Sequence, residues 1–181
     1  MIIVPESQGI IEVKALTLWQ PWASLLIGGF KTYETRSWRP ALDKPTRFWL
    51  AIHAAKREPS AVFHRFNKLY PSGMEALTWE CLDQMGYVSF PQLPRGAVLG
   101  LALLGTIRPV EELRGRVDAR DAAFGDWSDG RFAWRIAKVW QFADPVPARG
   151  AQGLWKWQMP RELSAQWLDG EADTVPSRLQ G

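Results

Sequence analysis

The sequence predicts an α+β domain in which strands and helices follow one another without a regular alternation. Two observations carry this. Several segments repeat apolar residues at every second position, the spacing of a half-buried strand, and between them lie stretches with apolar residues three and four apart, the spacing of a helix face. The resulting order is strand, helix, charged strand, strand, a helical excursion, then three further strands joined by loops. That order fits a small β-barrel carrying helices and an open α+β sheet equally well. A length of 181 residues, 46% of them hydrophobic, suits one domain with a substantial core.

Residues 1–12 read as a loosely held arm in which Ile10 and Ile11 offer apolar docking points, and 13–18 alternates well enough to enter a sheet. Pro21 suits the first turn of a helix, where its missing N–H is no loss. Trp22, Leu25 and Leu26 then fall on one helical face, and Gly28 and Gly29 end the helix because glycine accepts the left-handed conformation. Lys31 sits on the turn. A strand over 32–38 would place Thr32, Glu34, Arg36 and Trp38 on one face and Tyr33, Thr35 and Ser37 on the other.

Residues 39–45 read as a loop bounded by prolines. In the strand 47–55, Phe48, Leu50, Ile52 and Ala54 form the core face and Trp49, Ala51 and His53 the other. Val62, Phe63, Phe66 and Leu69 recur at helical spacing within 56–70, and 72–85 holds a second helix with Leu77, Cys81 and Leu82 inward, ended by Gly86. Residues 97–107 are apolar on both faces, as in a central strand, with Gly100, Ala102 and Gly105 leaving room for close backbone approach. A short helical turn is expected at 109–113, and 114–130 reads as a mixed-charge surface loop. Its four aspartates, Asp118, Asp121, Asp126 and Asp129, match no metal-binding loop spacing. From Arg131 a long strand should carry Phe132, Trp134, Ile136, Trp140 and Phe142 on one face. Pro145, Pro147 and Gly150 make an irregular connection to a last strand near 153–157, and 162–168 reads as a terminal helix. The domain is accordingly placed at 14–168, with 1–13 as an arm and 169–181 as a frayed tail.

The run Gly29-x-Lys31-x-x-Glu34-x-Arg36, preceded by Gln20-Pro21-Trp22-Ala23-Ser24-Leu25-Leu26 and followed by Ser37-Trp38, resembles the ASCH family, named for homology to activating signal cointegrator 1 and part of the PUA-like superfamily. The segments Trp49-Leu50-Ala51-Ile52-His53-Ala54-Ala55-Lys56, Arg95-Gly96-Ala97-Val98-Leu99-Gly100, Phe132-Ala133-Trp134 and Gly153-Leu154-Trp155 extend the likeness. It covers 14–56 well, 94–108 fairly and 131–157 loosely. The resemblance implies a small mixed PUA-like β-barrel with flanking helices and a cleft beside the first helix, into which the signature points.

A basic imbalance agrees with a nucleic-acid partner. Residues 14–68 hold ten Lys and Arg against Glu34, Asp43 and Glu58, although the whole chain is only +3. Such an asymmetry steers a polyanion toward one side of a protein. Lys31 and Arg36 suit phosphates or base edges, Glu34 an exocyclic amine, and Trp22, Trp38, Trp49 or Trp155 a stacked base; Ser24 and His53 complete the candidate set. The bland alternative is an internal ion pair between Glu34 and Arg36 with tryptophans filling the core.

An enzyme is the rival reading. Some ASCH proteins hydrolyse N4-acylated cytidines with the signature lysine, a threonine three residues after it and a later glutamate, and others are ribonucleases. Here Glu34 stands where that threonine would be, so a hydroxyl nucleophile would have to come from Thr32, Thr35 or Ser24, with Lys31 and Glu34 as the catalytic pair. A third reading is a protein-interaction module in transcriptional coactivation, because the larger cointegrator carries its ASCH domain as one piece among several. No cofactor or metal site is expected: Cys81 is the single cysteine, and His53 and His64 lack zinc-ligand spacing. The absence of a signal-peptide pattern and of a membrane-length apolar run leads to a cytoplasmic expectation.

Overall fold

The structure, a computed structural model, describes residues 11–40, 48–69 and 74–173. The arm at 1–10, most of the 39–45 loop, the side chains of Phe66 and Leu69, and the tail beyond 173 lie outside the described residues. Strand β1 (Ile11–Leu18) leads into helix α1 (Trp22–Ile27), followed by β2 (Tyr33–Arg36) and β3 (Phe48–Ala54). Helices α2 (Pro59–Leu69) and α3 (Met74–Gln84) form the helical excursion. Then come β4 (Ala97–Pro109), α4 (Ala119–Phe124), β5 (Phe132–Pro147), β6 (Leu154–Met159) and α5 (Arg161–Asp173).

The six strands make one mixed sheet in the order β2-β5-β4-β3-β1-β6. β1 and β3 are parallel and the remaining neighbours antiparallel. The α+β class is therefore the observed one, but β2 and β6, at the ends of the order, share no ladder among the described residues. Side chains bridge the ends instead. Trp38, Phe132 and Trp134 pack into the same cluster as Leu16 and Leu154, and Arg36 reaches across to the Thr17 carbonyl at 3.4 Å. Backbone groups around β2 find side-chain partners rather than another strand: the Asp121 carboxylate accepts from the Thr32 and Tyr33 N–H groups, and Arg131 donates to the Thr35 carbonyl. A strand end satisfied in this way has little left to offer a closing ladder.

Helix α1 is buried on every side because it lies between two layers. Ala23, Leu26 and Ile27 face the sheet with Leu16, Leu50, Ile52 and Trp134. Trp22 and Leu25 face the outer helices with Phe63, Cys81, Leu82 and Phe124. The sequence reading put Trp22, Leu25 and Leu26 on one face; the i, i+3, i+4 set from Ala23 is the sheet-facing stripe, and Leu26 belongs to it. Gly28 keeps a right-handed conformation as the cap (φ −73°), and Gly29 alone turns left-handed (φ +79°).

The other sheet face is also covered, by Trp167 and Leu163 of α5 against Val13, Trp49, Ala51 and Leu101. Both faces of β3 are thus core, and Trp49 packs edge-on against Trp167 on the sheet face opposite α1. The predicted single face of β5 is broken. Leu103 pairs with Lys138 but Leu104 with Ile136, so Ala137 is an extra residue in β5. One inserted residue reverses the alternation beyond it. Phe132, Trp134 and Ile136 therefore face α1, whereas Trp140 and Phe142 face α5. Gly100 is required where β4 crosses β5, since a Cβ there would lie 2.4 Å from the Trp140 carbonyl oxygen.

Several boundaries move: β2 is confined to Tyr33–Arg36, so Thr32 and Trp38 lie outside it, β4 runs on to Pro109 and β6 to Met159. β1 begins at Ile11, which is fully buried against β6; β5 continues through Pro145 to Pro147; and α5 runs past residue 168 to Asp173. The segment 114–130 is more than a surface loop. It carries α4, whose Ala123 and Phe124 are buried in the helical layer. Burying a phenylalanine contributes about 1.5–3 kcal/mol, which helps offset the entropy of ordering the segment.

Candidate functional site

A cleft of about 560 Å3 opens where β1 ends and α1 begins. Leu16, Thr17, Leu18 and Trp19 form one side, Lys31, Glu34, Thr35, Arg36 and Trp38 the other. Trp22, Phe124, Asp126, Arg131 and the connection 151–153 complete its walls. The cleft lies between the end of β1 and β2, which share no ladder among the described residues.

At its floor, Glu34 is held between two cations, with Lys31 Nζ 3.0 Å from Oε2 and Arg36 Nε 2.9 Å from Oε1. The Lys31 ammonium also donates to the Tyr33 carbonyl. Lys31 is 2% exposed and Glu34 7%, so both charges are removed from bulk water. Burial alone would raise the Glu34 carboxyl, but Lys31 and Arg36, with a smaller contribution from Arg131, outweigh it and hold it below its ordinary value. Glu34 is consequently an ionised carboxylate at neutral pH. Arg36 is different: its side chain is 27% exposed and lines the cleft, with Nε against Glu34 and one terminal nitrogen donating to the Thr17 carbonyl at 3.4 Å. Of the two cations that hold Glu34, Lys31 is enclosed and Arg36 is the more exposed.

The structure brings Trp22, Lys31, Glu34, Thr35, Arg36 and Trp38 together on this cleft; Ser24, His53, Trp49 and Trp155 are not among its lining residues. Ser24 is buried within α1, accepting from the Gln20 amide at 2.8 Å. His53 is 2% exposed and lines a neighbouring pocket. Its Nε2 lies 3.1 Å from the Ala148 carbonyl, and burial, only partly opposed by that contact, lowers its pKa. Trp155 stands between the two, edge-on to His53 and donating to Thr17 Oγ1 at 3.1 Å. Of the three hydroxyls considered as nucleophiles, Thr32 is bound by the Asp121 carboxylate and Ser24 is enclosed, which leaves Thr35 on the cleft wall. Its Oγ1 accepts from the Asp126 N–H at 3.0 Å.

Several site residues had no sequence signal strong enough to single them out. Trp19 is half exposed at the rim, with the Arg57 guanidinium 5.3 Å from its ring. Its position just past the last alternating residue of β1, beside Gln20-Pro21, was the available clue. Asp126 and Arg131 pair at 3.4 Å on the opposite wall. The four aspartates of 114–130 have separate structural duties: Asp118 caps α4 through the Asp121 N–H, Asp121 fixes the start of β2, Asp126 pairs with Arg131 and Asp129 with Arg114.

Residues 16–145 match the ASCH domain, well over half of the chain. The chain belongs to the ASCH domain family. The signature turn of this ASCH domain is the floor just described. Among solved structures it is similar to ASCH from Zymomonas mobilis, at 14% identity over 86% of this chain and 94% of that one, with a TM-score of 0.47. A serine-to-alanine mutant of the same Zymomonas mobilis protein matches at 16% identity over 87% of this chain and 94% of that one, with a TM-score of 0.45. No helix among the described residues of the ASCH domain is long and apolar enough to cross a membrane.

Proposed function

We propose that this ASCH domain binds nucleic acid by taking an unpaired nucleotide, from RNA or DNA, into the cleft beside α1. The observation that carries the reading is the Lys31–Glu34–Arg36 arrangement at the floor of an open, aromatic-walled cleft. Two buried charges are costly to desolvate, and an apolar pair of similar volume would serve stability as well. Their arrangement fixes an acceptor and a donor fork side by side. Glu34 is placed to accept from an exocyclic amine, and the outer edge of Arg36 to donate to a base edge or phosphate. Trp19 and Trp38 offer ring faces for stacking at the rim, a contribution of about 1–3 kcal/mol per base.

The hydrolase reading rests on Thr35, the remaining hydroxyl on the wall. Lys31 is engaged by Glu34 and the Tyr33 carbonyl, so the signature lysine is not set against that hydroxyl as a base. Fluorescence anisotropy of labelled eight-nucleotide RNA, the matching DNA and a duplex tests the proposal. Saturable binding of a single strand, weakened at least tenfold by Arg36→Ala in a variant that remains folded, supports it. Absence of binding to all three overturns it, and release of product from an N4-acylated cytidine, lost in Thr35→Val, would replace it with the enzyme.

A further inference from the structure

A second pocket, about 880 Å3, adjoins the cleft and shares Thr17, Ala151 and Gln152 with it. Lys56, Arg95 and Arg149 line this pocket together with His53, and no carboxylate does. The contrast in charge is sharp. In the cleft, Lys31, Arg36 and Arg131 face Glu34 and Asp126, so most of the positive charge is cancelled internally. In the second pocket three exposed cations meet no opposing wall charge, and His53, its pKa lowered by burial, adds none. Glu58 feels Arg95 but is engaged chiefly by Ser60. The pull on a polyanion therefore originates beside the signature cleft rather than within it.

The pocket is also built, not merely a cluster of surface cations. Gly150 passes so close to the buried imidazole that a Cβ would lie 2.4 Å from His53 Cε1 and 2.8 Å from Thr17 Oγ1. His53 is fixed by the Ala148 carbonyl and by Trp155, and its Nδ1 is buried without a partner. These contacts hold the connection 148–152 as a common wall between the two cavities.

We propose that this second pocket binds the phosphate flanking the nucleotide held in the cleft, with Lys56, Arg95 and Arg149 as its ligands. The ligand is then a phosphodiester-linked strand rather than a free nucleoside, and it crosses the Thr17–Gln152 wall. This rests on the reading of the cleft as a nucleotide site. Each phosphate contact to a single strand releases condensed counterions and contributes about 0.7 to the slope of log affinity against log salt.

The test titrates the labelled eight-nucleotide RNA and DNA at several salt concentrations with wild type, Lys56→Ala, Arg95→Ala, Arg149→Ala, the triple variant and Arg36→Ala. The expected result is a salt slope about 0.7 smaller in the triple variant, at least a thirtyfold loss of affinity at low salt, unchanged melting temperature, and competition by uridine monophosphate but not by uridine. If wild type binds and Arg36→Ala weakens it while the triple variant keeps the wild-type slope, the cleft reading stands and the phosphate pocket is overturned. If wild type binds neither strand, both are overturned.

Discussion

The floor of the signature cleft and the pocket beside it use the same residue types in opposite ways. Lys31 and Glu34 are buried and paired, whereas Lys56, Arg95 and Arg149 are exposed and line a pocket with no carboxylate among its described lining residues. Buried charges interact strongly because water does not screen them, so they fix geometry. Exposed charges act over about a Debye length, roughly 8–10 Å, and steer ligands without fixing them. On the proposed reading the cleft orients the ligand and the pocket attracts it. A family signature rich in lysine and arginine is therefore a poor guide to where net positive charge lies.

Removing Glu34 should have the largest effect on this contrast. Glu34→Ala leaves the Lys31 ammonium buried without its anion and is expected to cost about 3–5 kcal/mol in denaturant unfolding, against no measurable loss for Arg149→Ala. Equal effects of the two would break the distinction between fixed and free charge. Gly150→Ala comes next. Its Cβ displaces a histidine that cannot swing away, and a loss of about 1–3 kcal/mol is expected, with the His53 ring proton resonances shifted in NMR spectra.

The pH dependence separates the two regions further. His53 is buried neutral with a lowered pKa, so the unfolded chain binds its proton more readily; that contribution is complete above about pH 6.5 and is lost as pH falls through the lower folded value. Glu34 is also lowered. Its contribution is present above the ordinary carboxylate pKa and disappears as pH falls below it. Melting temperature measured from pH 8 to pH 3 should decline in two stages, with His53→Gln removing the upper stage and Glu34→Gln the lower. A single decline common to both variants would show that the two sites are coupled. Trp19→Ala should have the smallest effect on the fold, leaving stability within about 0.5 kcal/mol while weakening strand binding by about 1–3 kcal/mol.

The parts of the site that were legible in the sequence are those set by local chain geometry. Lys31, Glu34 and Arg36 lie within six residues, and strand periodicity is enough to put Glu34 and Arg36 on one face. Gly29 fixes the turn that delivers Lys31 to them. The α+β class, the two-sided burial of β4 and the inward Cys81 and Leu82 of α3 follow equally from apolar spacing, because burial acts on every second or every third and fourth residue whatever the partner element is.

Only the tertiary structure decided the rest. The extra residue at Ala137 depends on how β5 must register against β4, and no local pattern announces it. Asp121 reads as one more aspartate in a charged loop, yet across 89 residues it binds the Thr32 backbone and holds the entrance to β2. The basic pocket gathers Lys56, Arg95 and Arg149 from three separate stretches of chain. Their proximity arises from the β3–β4 ladder that brings Ala54 opposite Ala97, and from the return of β5 alongside Val98. Sequence spacing determines which face a residue occupies; only packing between distant segments determines which faces meet and whether their charges cancel.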